Sequence, residues 1–343
     1  MPRTLPAEVF ALGRPAAYPR PTAAVEVIET HRSWVFLTDR HAYKLKKAVR
    51  FDGADLTTAL ARRAACRREV ELNRRLAPRV YRRVVPLARD AAGRLRVGGR
   101  GVAVDWLIEM RRLPADRMLD QRIRDGTLAA EEVDAVARRL VRFYRTAPPV
   151  AVSPAAMRGR VWRELRQTLA VLVAADGDLD LAAVRCLVRR VTAFVRRHAA
   201  AHAARVEAGR IVEGHGDLRP EHVCLLAQPV VIDCLEFSRE LRLVDPLQEI
   251  AQLALECRRL GAAWAGERLL AGYRRLAGDD FPAELVALYQ AVHCCIRARL
   301  SYAHLLEPGP VDRARWVEQT REYLALAGEA LAPARSRREA ARG

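Results

Sequence analysis

The chain has 343 residues, 51% of them hydrophobic, which suits two domains or one two-lobed unit and excludes a disordered polymer. Its formal net charge is +18, yet the arginines are spread along the whole length with no interleaved aromatics. That pattern argues against a nucleic-acid surface and for a solvated one that still attracts anions. The opening residues lack the apolar stretch of a signal peptide, and no run of about 18 apolar residues could span a membrane, so a cytoplasmic protein is expected. The seven cysteines form no CxxC pair and sit in apolar segments, as buried free thiols in a reducing compartment do.

Residues 1–24 are rich in Pro and Ala and read as an N-terminal extension with a short helix at 7–12. From there the period becomes two. Segments 25–30 (VEVIET), 34–38 (WVFLT) and 42–46 (AYKLK) predict a three-stranded antiparallel meander. Residues 56–76 turn helical until Ala77-Pro78 stops them, and 84–88, 94–97 and 102–110 read as further strands. Beyond Arg112 the pattern is helical, over 129–144, 154–174, 181–208, 247–260, 262–276, 282–306 and 311–331. It is interrupted at 211–243, where strand-like IVEG and VVID pieces flank a loop. The expected fold is α+β and bilobal: a small β-rich N-lobe at 25–112, a larger helical C-lobe at 113–332, and a disordered basic tail at 333–343.

Of the 59 basic residues only three are lysines, Lys44, Lys46 and Lys47, all in one short strand-like segment. Lysine is a compact point charge and arginine a broad planar fork, so lysines kept together in an arginine-rich chain point to a site the fork does not fit.

The most informative segment is HGDLRPEH, residues 215–222, followed by Asp233 in VVIDCLEF. Phosphoryl transfer asks the protein for a carboxylate to orient the accepting hydroxyl and for ligands that hold the nucleotide's metal. A loop Asp, a second ligand five residues on, and an Asp after the next strand can supply these.

HGDLRPEH resembles the catalytic loop of protein kinases, HRDLKPEN, and more closely the HGDxxxxN loop of aminoglycoside and choline phosphotransferases. The resemblance covers residues 25–305 and implies a protein-kinase-like fold that uses ATP and Mg2+, or Mn2+, to phosphorylate a hydroxyl of a small polar molecule. By position it makes Asp217 the catalytic base, Arg219 the cation at the transferred phosphate, and Asp233 the main metal ligand. Asp245 and Glu249 match the DPxxDLA stretch that buttresses the catalytic loop, and His215 has a structural part in it. The segments YKLKK, MRRLP, HGDLRPEH and VIDCLEF together are similar to a bacterial branch in which a P-loop kinase domain sometimes follows. No GxxxxGK[ST] motif occurs here, so this chain is expected to be the first half alone.

In the kinase signature the ATP-binding lysine sits on the third strand and its Glu partner on the following helix. The resemblance therefore selects Lys44, with Lys46 on the same face as the alternative, and Glu69. It also places Met110 and Arg112 at the adenine-contacting hinge, and Thr30 and Ser33 in the nucleotide-covering loop, which has no glycine. His222 stands where the family has the second metal ligand, Asn. It is expected to bind the metal, to contact a phosphate, or to mark a one-metal site. His293, Arg297 and Ser301 recur at helical spacing and form a candidate substrate face. Two other classes compete: a nucleotide-binding pseudokinase, favoured by His222, and a basic nucleic-acid-binding protein, favoured by charge alone.

Overall fold

The computed structural model describes residues 6–51, 53–174, 177–306 and 312–332. They fall into two compact units. The first runs to Gly126 and also takes in His215–Asp217 and Glu221–Arg242; the second holds the remainder. The boundary expected at residue 112 therefore lies inside the first unit, which also claims most of the segment assigned to the C-lobe loop.

The first unit is built on six strands: β1 (Glu26–Glu29), β2 (Ser33–Leu37), β3 (His41–Lys46), β6 (Tyr81–Arg89), β7 (Leu95–Val97) and β8 (Val102–Arg111). A two-residue hairpin, β4 (Arg50–Phe51) with β5 (Ala54–Asp55), leads from β3 toward the helix that follows. The sheet order is β1-β2-β3-β8-β6-β7, antiparallel throughout. Side chains alternate across a strand, so β3 presents Tyr43 and Leu45 to one face and Ala42, Lys44 and Lys46 to the other.

Tyr43 and Leu45 pack with Phe36, Leu87 and Leu107, and this face is covered by the chain's start. Helix α1 (Ala7–Leu12) contributes Val9 and Leu12, and Tyr18 joins them, donating its hydroxyl to Leu12 O at 2.6 Å. The described part of the expected extension is thus a working half of this core, because an antiparallel sheet with two apolar faces needs a cover on each.

The opposite face is covered by α2 (Ala59–Arg74), whose N-cap Thr58 accepts the Ala61 N–H. Its buried stripe is Arg62, Cys66, Glu69, Val70 and Asn73, so acid and amide groups face the sheet alongside apolar ones. A short helix, α3 (Leu119–Arg124), follows β8. The hairpin Val223–Cys224 with Val230–Val231 lays Val230 and Ile232 against Ala42, Val70, Tyr81 and Ile108.

The second unit is helical, with Ala130–Thr146, Pro154–Val173, Leu181–Arg197, Ala199–Glu207, Pro246–Arg259, Ala263–Ala277, Ala283–Ala303 and Arg313–Ala330, plus the strand pair Val212–Glu213 and Leu243–Val244. The single helix expected at 181–208 breaks at His198. At its centre Arg205 donates to Asp245 (2.7 and 2.8 Å) and also pairs with Asp279, and Tyr289 and Tyr273 donate to the same two acids. Among the described residues no helix is long and apolar enough to cross a membrane. All seven cysteines are free and six are buried; Cys186 is exposed, contrary to expectation. The expected basic tail and the start of the helix expected at 311 lie outside the described residues.

Candidate active site

The two-residue period of β3 aims Lys44 and Lys46 at α2, where both meet Glu69. Lys44 Nζ is 2.8 Å from Glu69 Oε1, and Lys46 Nζ is 2.5 Å from Oε2. The acid shows no exposed surface and Lys46 only 3%, so neither side chain has water to fall back on. Burial by itself would neutralise all three. The opposite charges outweigh it: Glu69 is held below its usual carboxylate range by Lys44 and Lys46, and both ammoniums are raised.

The chain of charges continues at both ends. Lys44 also donates to Asp233 Oδ1 at 2.6 Å, and Lys46 to Glu236 Oε1 at 2.5 Å. Three carboxylates thus alternate with two ammoniums. Enclosure by protein would raise the Asp233 carboxyl, but Lys44 first and His222 next hold it far below the ordinary range. Its side chain remains 46% exposed, so the acid is charged and reachable.

Asp233 is the only non-glycine residue at positive φ among the described residues, at 62°. Such a geometry costs about 1–3 kcal/mol and persists where the surroundings fix it. Here the Asp233 N–H donates to Tyr81 Oη (3.1 Å) and the Cys234 N–H to Asn73 Oδ1 (2.9 Å).

The 215–222 loop is ordered by its two histidines. His215 is fully buried, and burial lowers its pKa to about 4. The neutral ring donates from Nε2 to Ile232 O at 2.8 Å and accepts the Asp217 N–H at Nδ1. The His222 ring contacts Asp217 O through Nδ1 at 2.8 Å, and its Nε2 lies 3.7 Å from Asp233 Oδ2. Gly216 between them has φ of 90°, and a Cβ there would press on Leu235, Arg242 and Leu241 O at 3.1–3.2 Å. Only glycine fits this position of the loop.

Several expected residues are placed otherwise. The Thr30 hydroxyl donates to Ser33 O and accepts the Ser33 N–H, closing its own turn instead of facing a ligand, and Ser33 is buried. That turn is fastened by Arg32, whose guanidinium lies over the rings of Phe51 (3.9 Å) and Phe237 (4.2 Å). Met110 is buried in the core, and the N–H groups of Arg111 and Arg112 are taken by Val80 O and Arg40 O. The Arg112 side chain binds Thr38 O and Glu26, stitching strands together.

In the second unit, Glu249 accepts the Tyr144 hydroxyl at 2.7 Å and lies so close to Gly214 that a Cβ there would sit 2.6 Å from Oε2. It braces the residue before His215. Asp245 instead caps helix Pro246–Arg259 and binds Arg205 and Tyr289. His293, Arg297 and Ser301 do not form an open substrate face. His293 binds the buried Glu256 (2.9 Å), Arg297 lies over Tyr323, and Ser301 binds Gln319, so the stripe is packed against helices Pro246–Arg259 and Arg313–Ala330. Arg219 belongs to this unit too.

Sequence reasoning missed Glu236, Tyr81 and Asn73. The Asp-x-x-Glu spacing after VVI was the one available signal for Glu236. Nothing local marked Tyr81.

A model of the phosphotransferase enzyme family matches residues 26–287. The chain belongs to this family. An uncharacterized protein of Mycobacterium tuberculosis is 32% identical over 83% of this chain and 56% of its own length, and a Mycobacterium bovis protein matches equally. The chain spans little more than half the length of these relatives. Solved structures share the fold: a choline/ethanolamine kinase family protein from Mesorhizobium loti (TM-score 0.58, 19% identity, 98% of this chain and 97% of that one) and aminoglycoside 2′-phosphotransferase-IIIa as its GDP complex (0.53, 13%, 90% and 93%). Choline kinase from Streptococcus pneumoniae follows at 0.52, 16% identity, covering 89% and 94%. The fold is thus protein-kinase-like α+β, and this member of the phosphotransferase family carries its clustered lysines and Asp233 in one compact unit.

Proposed function

We propose that the chain is an ATP-dependent phosphotransferase acting on a hydroxyl of a small polar molecule. The observation that carries this reading is Lys44, which joins Glu69 on α2 to the charged, accessible Asp233. In this reading Lys44 binds nucleotide phosphates, Asp217 takes the acceptor's proton, and Arg219 meets the transferred phosphoryl group. Lys46 holds Glu69 in place from its other oxygen.

Asp233 Oδ2 and His222 Nε2, 3.7 Å apart, are a donor pair that one divalent cation can bridge. Among the described residues no group of three or more His, Cys, Asp or Glu side chains is arranged to hold a metal by itself. Two protein donors fit Mg2+ or Mn2+ of the kind that phosphate oxygens and water complete. Such an ion would neutralise charge on the phosphates. The nitrogen donor favours Mn2+ over Mg2+ more than an amide oxygen does.

A related structure solved with ADP and spectinomycin is consistent with a nucleotide plus a small substrate. A second reading, a nucleotide-binding regulator without turnover, draws on His222 in place of Asn. Incubation with γ-labelled ATP, Mg2+ or Mn2+, and a panel of amino alcohols, sugars and aminoglycosides separates the two. Label in a small-molecule product supports the transferase. Nucleotide binding with no transfer to any acceptor, water included, favours the regulator.

A further inference from the structure

We propose that Asn73 and Tyr81 are positioning residues: a two-point clamp that fixes the Asp233 backbone so that its carboxylate serves the metal. The proposal rests on the reading of Asp233 as a metal ligand.

A residue's φ and ψ are set by the two peptide planes that flank its Cα. Both planes at Asp233 are held through their N–H groups. The plane before it donates to Tyr81 Oη, and the plane after it, through Cys234, donates to Asn73 Oδ1. These bonds come from β6 and α2, elements distant in sequence, and they meet on the one non-glycine residue held at positive φ among the described residues. Without them the turn could relax to an ordinary geometry, and the carboxylate would swing away from His222 Nε2.

Asn73 suits the task chemically. Its Nδ2–H donates to Glu69 O at 2.9 Å, which fixes the amide so that Oδ1 faces Cys234. Asp would keep the acceptor and lose the donor. Leu would fill the space and lose both. It is the only asparagine in the chain and shows no exposed surface. One turn earlier on α2, Glu69 holds Lys44, which holds the Asp233 carboxylate. One helix therefore grips the acid twice, by side chain through Lys44 and by backbone through Asn73. Tyr81 is buried, and its hydroxyl oxygen accepts the Asp233 N–H at 3.1 Å.

The test uses Asn73→Leu, Asn73→Asp and Tyr81→Phe in the full chain, with two readouts. Amide hydrogen exchange across residues 230–238, measured without ligand, reports the clamp itself. The Mg2+ or Mn2+ concentration giving half-maximal phosphotransfer reports its consequence. Asn73→Leu and Tyr81→Phe are expected to speed exchange at the 233 and 234 amides at least tenfold. They should raise the cation requirement by a similar factor while cation-free nucleotide affinity stays within twofold. Asn73→Asp should fall nearer wild type than Asn73→Leu. Exchange and cation requirement both within twofold of wild type in Tyr81→Phe, which removes one hydroxyl and no packing volume, overturns the proposal even if Asn73→Leu melts early. Asp233→Ala separates the two claims: cation-dependent transfer surviving in it removes the metal-ligand reading, and exchange alone then judges the clamp.

Discussion

Lys44 Nζ sits between Glu69 Oε1 (2.8 Å) and Asp233 Oδ1 (2.6 Å), whereas Lys46 sits between Glu69 Oε2 and Glu236, both at 2.5 Å. The two lysines look equivalent along the strand and differ in what they leave behind. Removing Lys46 leaves the largely buried Glu236 without its ammonium and Glu69 with Lys44 alone, and breaking a buried pair in this way costs about 3–5 kcal/mol. Removing Lys44 frees an Asp233 that water already reaches, and Lys46 still neutralises Glu69. Lys46→Ala is therefore expected to lower the melting temperature strongly, and Lys44→Ala to weaken nucleotide binding with a smaller loss of stability. Thermal melts paired with nucleotide titrations check this, and the reverse ranking would sink it.

Asp217→Asn is expected to lower turnover by about 100- to 10,000-fold, the range a general base supplies, with nucleotide affinity kept within a few-fold. The asparagine keeps the shape, and the main-chain atoms of residue 217 keep their bonds to His215 and His222. Turnover within about tenfold of wild type would remove Asp217 from the chemistry.

His222→Asn exchanges a ring nitrogen near Asp233 for an amide oxygen. The expected outcome is a shift in the activity ratio from Mn2+ toward Mg2+. Isothermal titration of each cation in the presence of a non-hydrolysable nucleotide provides a check free of turnover. An unchanged preference in both measurements would place His222 outside the metal site and leave it a loop brace through Asp217 O.

The buried His215 has its folded pKa lowered from 6.5 to about 4. A lowered folded value means that the neutral ring stabilises the fold above the unfolded pKa, and that this contribution is lost as pH falls. The window runs from about pH 6.5 down to about 4, for a total of about 3 kcal/mol. His202 and His41, also lowered, add to the same acid limb. Melting temperature measured across that window should fall less steeply in His215→Asn, whose amide can still donate to Ile232 O. Equal slopes would show that other groups set the limb.

The sheet was legible because β2, β3 and β8 alternate or run apolar between turn residues, and helix α2 because a helical pattern runs up to the Ala77-Pro78 stop. The lysine strand stood out through scarcity alone. What stayed hidden depends on partners far along the chain. Polar residues at 293, 297 and 301 resemble a ligand face until Glu256, Gln319 and Tyr323 are seen to receive them. Residues 6–24 look like an extension because Pro and Ala dominate them, and only the packed sheet shows what Val9, Leu12 and Tyr18 cover. Asn73 reads as a helix-surface amide, since no pattern announces that a backbone N–H from residue 234 will need it.

The turn joining β1 and β2 contains no glycine, and Arg32 within it is gripped by two aromatic rings, one from the β4 strand and one just past Glu236. A glycine-rich turn keeps its freedom until a ligand arrives and then loses it, so ordering is charged against binding. In this chain the ordering is completed as the protein folds. A molecule settling beneath the turn would meet a preset surface, so the entropy of association should carry little penalty from this segment. Arg32→Ala should therefore make binding less favourable in entropy, by returning to the turn a disorder the ligand must then remove.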